Sequence, residues 1–217
     1  MTPVGTYNTD VSDMYAVHKA LTGALDAAPA YVAKVGVDPE RVELMGSFYE
    51  NVIEFLHVHH MGEDELIYPV LEQRCAESRS VLERIDDQHK LLYAPMDTAR
   101  TAIATWRTAP STEHAQAVAD AIASIDELLR PHLAEEETVM LPIAAKWMSP
   151  EEWGGLAGHS MMSFRADKPW LPMGLVREQL DQEQRDGMLA GMPPEMRTAW
   201  IEQMEPAFNA FIADVRR

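Results

Sequence analysis

The sequence predicts an all-α protein, an up-down-up-down antiparallel four-helix bundle followed by a C-terminal helical extension. Three observations predict it. Apolar residues recur at alternating spacings of three and four over long stretches, the pattern of a bundle seam. The connections between those stretches are short and carry turn and cap residues, which makes consecutive helices antiparallel neighbours. The first two-thirds of the chain also repeats itself: His59-His60-Met61-Gly62-Glu63-Asp64-Glu65-Leu66-Ile67-Tyr68-Pro69 returns in outline as His132-Leu133-Ala134-Glu135-Glu136-Glu137-Thr138-Val139-Met140-Leu141-Pro142, displaced by 73 positions.

The first helix has the seam Val11, Met14, His18, Leu21, Leu25, and Gly36-Val37-Asp38-Pro39 supplies a stop, a cap and a proline for the next helix. The second seam reads Val52, Leu56, His59, Glu63, Leu66, Val70, with a weaker break near Ala76-Glu77-Ser78. The third reads Leu82, Ile85, His89, Leu92, Met96, Ala99, Ile103 and ends at Ala109-Pro110-Ser111-Thr112. The fourth reads Val118, Ile122, Ile125, Leu129, His132, Glu136, Val139, Ile143. Pro95 and Pro131 each remove a backbone hydrogen bond and are expected to shape or kink their helices.

The domain boundary is expected at 148, so that residues 1–148 form the bundle and residues 149–217 the extension. Ser149-Pro150-Glu151-Glu152 reads as a fresh N-cap, and Gly154, Gly155 and Gly158 are expected to loosen the stretch after it. Helices are expected at about 182–189 and about 194–215, the latter containing Pro206. The Trp, Met and Phe content of this tail suits packing on the bundle or on a second subunit of a homodimer.

Composition removes several function classes. Eighteen Lys plus Arg stand against 35 Asp plus Glu, a net charge of -17, so the field repels nucleic acid and anionic lipid. No stretch has the apolar length of a membrane span, and Met1-Thr2-Pro3-Val4-Gly5-Thr6-Tyr7 has neither a basic nor an apolar leader region, so the expected location is the cytoplasm. The single cysteine, Cys75, leaves His and carboxylate as the plausible metal ligands.

Six such residues sit on the seams: His18, His59, Glu63, His89, His132 and Glu136. On a helix a His and a Glu four residues apart project from one face, so each His-x-x-x-Glu copy offers an imidazole and a carboxylate to one point. A further His precedes each copy, since His18-Lys19-Ala20-Leu21 is echoed by His89-Lys90-Leu91-Leu92 at a displacement of 71. Burying two carboxylates costs several kcal/mol unless something neutralises them, and a pair of metal cations is the simplest neutraliser. The competing register, His60 with Asp64, fits the periodicity less well, and His57 and His60 read as flanking residues with a ligand-orienting or proton-relaying role as the alternative. Each acidic run, Glu63-Asp64-Glu65 and Glu135-Glu136-Glu137, is expected to turn one carboxylate inward and the others to solvent. His114 and His159 read as surface residues.

The order His, His-x-x-x-Glu, His, His-x-x-x-Glu on four helices resembles the hemerythrin-like family, the HHE cation-binding domain, over about residues 10–147. The resemblance implies two non-haem iron ions joined by an oxo or hydroxo bridge, spanned by Glu63 and Glu136, with His18 and His59 on one iron and His89 and His132 on the other. The sequence departs from the oxygen carriers of that family in two ways. The position of their fifth His, one turn after the first ligand of the third helix, is Tyr93, a further candidate ligand. Their last carboxylate is an Asp five residues after its His, where Glu136 stands at four. Both departures point away from simple oxygen storage, and the leading expectation is a catalase-like enzyme that decomposes hydrogen peroxide under oxidative stress; reversible binding of oxygen or nitric oxide for sensing, storage or detoxification is the alternative, and a metal-stabilised regulatory module the third reading.

Overall fold

The computed structural model describes residues 6–217, and the part of the N-terminal reading that rests on Met1 to Gly5 lies outside the described residues. The described chain is all-helical. Its first helices are α1 (Ser12–Asp26) and α2 (Ala28–Val35), parted at Ala27, followed by α3 (Pro39–Leu66) and α4 (Tyr68–Arg74). A 3-10 turn at Ala76–Ser78 leads into α5 (Arg79–Thr108), and α6 (Thr112–Glu135) runs through a turn of π-helix at Glu136–Met140 into α7 (Leu141–Trp147). The extension comprises α8 (Pro150–Ser163), α9 (Leu171–Glu178), α10 (Gln182–Ala190) and α11 (Pro194–Ala199). It ends with a second π turn at Trp200–Met204 and α12 (Glu205–Val215).

Local chemistry sets most of these ends. Asp38 caps α3 by accepting from the Glu40 amide, and Gly36, at φ 65°, takes the left-handed turn that ends α2. Ser111 caps α6 by accepting from His114, and Ser149 and Glu152 form a reciprocal capping box on α8. The glycines expected to loosen α8 lie inside it without ending it.

The interruptions fall elsewhere than Pro95 and Pro131, both of which lie within unbroken α5 and α6. They fall just before Pro69, Pro142 and Pro206, each two residues beyond Ile67 or the end of a π turn. A proline ring excludes the carbonyl four residues earlier; a π turn before Pro142 and before Pro206, and a break at Ile67 before Pro69, accommodate it. In both halves of the repeat the buried positions lie one residue beyond the expected seam. Leu66 and Val70 are only partly buried, and Ile67 and Leu71 occupy the core in their place. Val139 and Ile143 give way in the same sense to Met140 and Ala144. The third seam, free of such a break, is buried at all seven of its expected positions.

α3 is buried on nearly every side, because α1 and α5 pack on one flank and α8, α9 and α12 on the other. Phe164, Leu171, Leu175, Val176, Phe208 and Ile212 join the same core as Val52, Leu56 and Ile125. Polar latches fix this packing. Buried Asn51 donates to Asp167 at 2.7 Å and accepts from the Lys168 amide at 2.9 Å, while Arg74 clamps Glu152 through two bonds of 2.8 and 2.6 Å. No helix among the described residues is long and apolar enough to cross a membrane.

Gly174 on α9 lies against the buried Phe208 ring, where a Cβ would overlap ring carbons, whereas nothing stands near a Cβ added at Gly154. Gly174→Ala should therefore lower unfolding stability by about 1–3 kcal/mol through overpacking. Gly154→Ala should raise it by roughly 0.5–1 kcal/mol through helix propensity. Denaturant titration of the two variants checks the contrast; equal stabilities would show that α9 does not seat on α12 in this way.

Candidate metal centre

α1, α3, α5 and the end of α6 deliver all six expected residues into one buried cluster. His18, His59, Glu63, His89, His132 and Glu136 are each between 0 and 6% exposed. Their donor atoms form two sets. His18, His59, Glu63 and Glu136 converge in one, and His60, His89 and His132 in the other, with ligand atoms inside each set within 4.8 Å of one another.

Glu136 faces both sets. Its Oε1 lies 3.4 Å from His132 Nε2 and 3.5 Å from His89 Nε2, and its Oε2 lies 3.6 Å from His18 Nε2. Glu63 Oε2 is 3.7 Å from His59 Nε2 and 3.6 Å from His89 Nε2. His89 Nε2 and His132 Nε2 are 3.0 Å apart, the separation expected of two neighbouring ligands that each bind one ion at about 2.1 Å.

Three imidazoles are held from behind. His18 Nδ1 pairs with Glu137 Oε1 at 2.9 Å, His89 Nδ1 with Asp64 Oδ1 at 2.5 Å, and His132 Nδ1 with Gln88 Oε1 at 2.9 Å. Carboxylate and amide oxygens accept, so each Nδ1 carries a proton and each Nε2 faces the cluster, where its lone pair would be free for a bound cation. Asp64 and Glu137 are thus not the solvent-facing members of their acidic runs that the sequence suggested. At 31 and 33% exposure each reaches back to a histidine on another helix.

The electrostatics call for positive charge. Burial, and then the Glu136 carboxylate, push Glu63 well above the usual carboxylate range. Glu136 is held at about 2 because the hydrogen bond from His89 and the charges of His132, His89 and His18 outweigh its burial. Burial holds His59 and His60 well below the usual imidazole value and His132 at about 4. Against its own burial, His89 is raised to about 10 by Asp64, Glu136 and Glu63. His18 Nε2, His59 Nε2, both Glu63 oxygens and Glu136 Oε2 have no hydrogen-bond partner, an arrangement that fits bound cations and leaves the protein's own polar groups unsatisfied without them.

Two residues of the cluster lie off the predicted seams. His60 is fully buried and stacked on His89, its ring centroid 4.1 Å away, although the sequence placed it on the flank. Tyr68 is buried and donates its hydroxyl to Glu136 Oε1 at 2.8 Å; burial, then the Glu136 and Glu63 charges, raise its pKa far enough to keep it protonated. Neither has a counterpart in the repeat, where Leu133 and Leu141 stand, so duplication could not reveal them. The one signal for His60 was its four-residue spacing from Asp64. Tyr93 is 39% exposed, outside this buried set, with its ring edge-on to His57 at a centroid distance of 6.3 Å. His57 is itself partly exposed. His114 hydrogen-bonds the Ala109 carbonyl, and His159 pairs with Glu65 at 2.8 Å.

His59→Ala or Glu63→Ala should abolish metal retention, whereas His57→Ala should retain it. Asp64→Asn and Glu137→Gln should weaken it by about 10–100-fold by loosening the imidazoles they orient. Elemental analysis after competition with a chelator measures all five, and equal loss from His57→Ala and His59→Ala would show the ligand register to be wrong.

Comparison with known proteins identifies this architecture. No curated protein and no solved structure matches the chain. The family model described as the hemerythrin HHE cation binding domain matches residues 9–144, which takes in α1 to α7 up to Ala144 and every residue of the two sets. The chain therefore belongs to the hemerythrin HHE cation-binding domain family, and its buried His and Glu residues are those of a metal-binding helical bundle.

Proposed function

We propose that the two sets hold a pair of iron ions and that the centre decomposes hydrogen peroxide to oxygen and water. In this reading Glu63 and Glu136 would bridge the ions, His18 and His59 would hold one, His89 and His132 would hold the other, and the ligand helices follow an up-down-up-down order. Support for the pair comes from the unpartnered donor atoms and from two buried carboxylates that no Lys or Arg reaches among the described residues. An imidazole and carboxylate donor set without thiolate suits iron or manganese.

Bound iron would supply reversible one-electron chemistry and coordination positions for a small oxidant. The protein's share is to exclude water and to move protons. In the net reaction one peroxide is oxidised to oxygen, releasing two protons and two electrons, and a second takes both up as its O–O bond breaks to give two waters. The observation that favours turnover is Tyr68. Its hydroxyl, held protonated beside Glu136, is a buried donor for the oxygen that leaves. Asp64 links His89 outward to the part-buried Asp86, whose carboxyl is raised by its own burial and by Asp64, and this pair offers protons a way to the surface.

Reversible capture of oxygen or nitric oxide is the second reading, and His60 favours it. A third imidazole beside His89 and His132 restores the count of five that an oxygen carrier uses, although from a different helix.

An oxygen electrode separates the readings. Iron-loaded protein should evolve oxygen from peroxide alone, faster than the same concentration of free iron. Tyr68→Phe should keep both irons and lose about a hundredfold in kcat. His89→Ala should abolish the activity. Oxygen uptake by reduced protein with no peroxide turnover would leave the binding reading in its place.

A further inference from the structure

Beyond the stretch that the family model covers, α9, α10, the second π turn and α12 border a cavity of about 420 Å³, with Arg177, Glu178, Arg185, Trp200, Glu205 and Asn209 in its lining. We propose that this cavity is a second ligand site and takes a small organic monocarboxylate. Its two arginines lock each other in place: Arg177 Nη1 donates to the Arg185 carbonyl at 3.1 Å, and Arg185 Nε donates to the Arg177 carbonyl at 2.8 Å. The Arg177 guanidinium also reaches Glu205 at 3.3 Å and lies 5.6 Å over the Trp200 ring. Arg185 has no acidic partner among the described residues, and its two terminal nitrogens make no hydrogen bond there, although acids outnumber bases by 35 to 18 in this chain. A planar fork fixed at Nε and unengaged at its other end is the geometry that takes a carboxylate through two parallel bonds.

Trp200 adds a second unmet donor. It is 1% exposed and its indole Nε1 has no hydrogen-bond partner, a loss that an oxygen bound in the cavity would make good. It is carried on a π turn, as Glu136 is in the bundle, and π turns often mark functional sites. Charge then decides between anions. Glu205 is matched by Arg177, and Glu178 is clamped by Arg216 through bonds of 2.7 and 2.6 Å, so three arginines face two glutamates and leave one positive charge. A monocarboxylate neutralises it, whereas a phosphate dianion would bring excess negative charge beside both glutamates. Phe208 in the same wall gives the ligand's apolar part a surface.

Isothermal titration calorimetry of the metal-loaded full-length protein with butyrate tests this, with inorganic phosphate and butylamine as contrasting probes. Butyrate should bind once per chain and more tightly than phosphate, and butylamine should not bind. Arg185→Gln should weaken butyrate by about 10–100-fold through loss of the charge-assisted bonds. Asn209 is exposed and its side chain makes no hydrogen bond among the described residues, so Asn209→Asp adds a negative charge to the wall without removing a contact and should weaken butyrate by about tenfold. Both variants should keep the wild-type helix content by circular dichroism. Absence of saturable heat at millimolar butyrate overturns the proposal, as does tighter binding of phosphate. Butyrate binding unchanged in Asn209→Asp also overturns it, since the carboxylate would then sit at the metal centre or elsewhere on the chain.

Discussion

Two fully buried carboxylates that no Lys or Arg reaches among the described residues set the terms for this fold. Glu63 and Glu136 are 0% exposed, and among the described residues histidines approach both of them, joined at Glu136 by the Tyr68 hydroxyl. Burying a carboxylate against an unpaired neighbour costs several kcal/mol, a large share of a typical domain's net stability. This conflict appears as opposed shifts: burial and the Glu136 charge drive Glu63 toward its neutral form, while the surrounding carboxylates drive His89 toward its charged one. A dication between them would reverse the first and displace the proton of the second, so metal binding and bundle stability are one equilibrium. The same exchange explains why the seams devote positions one turn apart to polar residues that a purely structural bundle would fill with Leu or Ile.

Much of this was legible in the sequence because duplication and helical period are independent signals that met at the same residues. Four histidines and two glutamates repeat at 71 or 73 positions and also fall on the seams, and all six are buried together. What the sequence hid has identifiable causes. The seam was extended past Pro69 and Pro142 with an unbroken period, but the helix breaks at Ile67 before the first proline and widens to a π turn before the second, and the core face lies one residue on, at Ile67 and Leu71 in one half and Met140 and Ala144 in the other. α3 was read as a helix with one buried stripe, whereas the extension covers its other side and buries residues off the stripe as well. A pattern within one helix carries no record of which later segment will pack on it.

The acidic neighbours Asp64 and Glu137 show how the two halves of the repeat depend on each other. In each half the first acid of the pair enters the cluster and the second holds a histidine, but that histidine belongs to the opposite half: Asp64 holds His89, and Glu137 holds His18. Neither half can orient its own leading imidazole. An acid placed one position after an inward carboxylate points about 100° around the helix, toward the neighbouring helix and away from the cluster centre, so this crossed pairing follows from packing the two halves side by side.

Crossed support of this kind couples metal occupancy to the relative placement of all four ligand-bearing helices. Moving α5 away from α3 removes His89 from Glu63 and from Asp64 together, and moving α1 away from the end of α6 removes His18 from Glu136 and Glu137. The histidines of α1 and α5 are each hydrogen-bonded at Nδ1 by one acid of a dipeptide and faced at Nε2, 3.6 Å away, by the other. The geometry at the centre is held by helix packing over the length of the bundle, and the extension adds to it by packing on the helix that carries His59, His60 and Glu63.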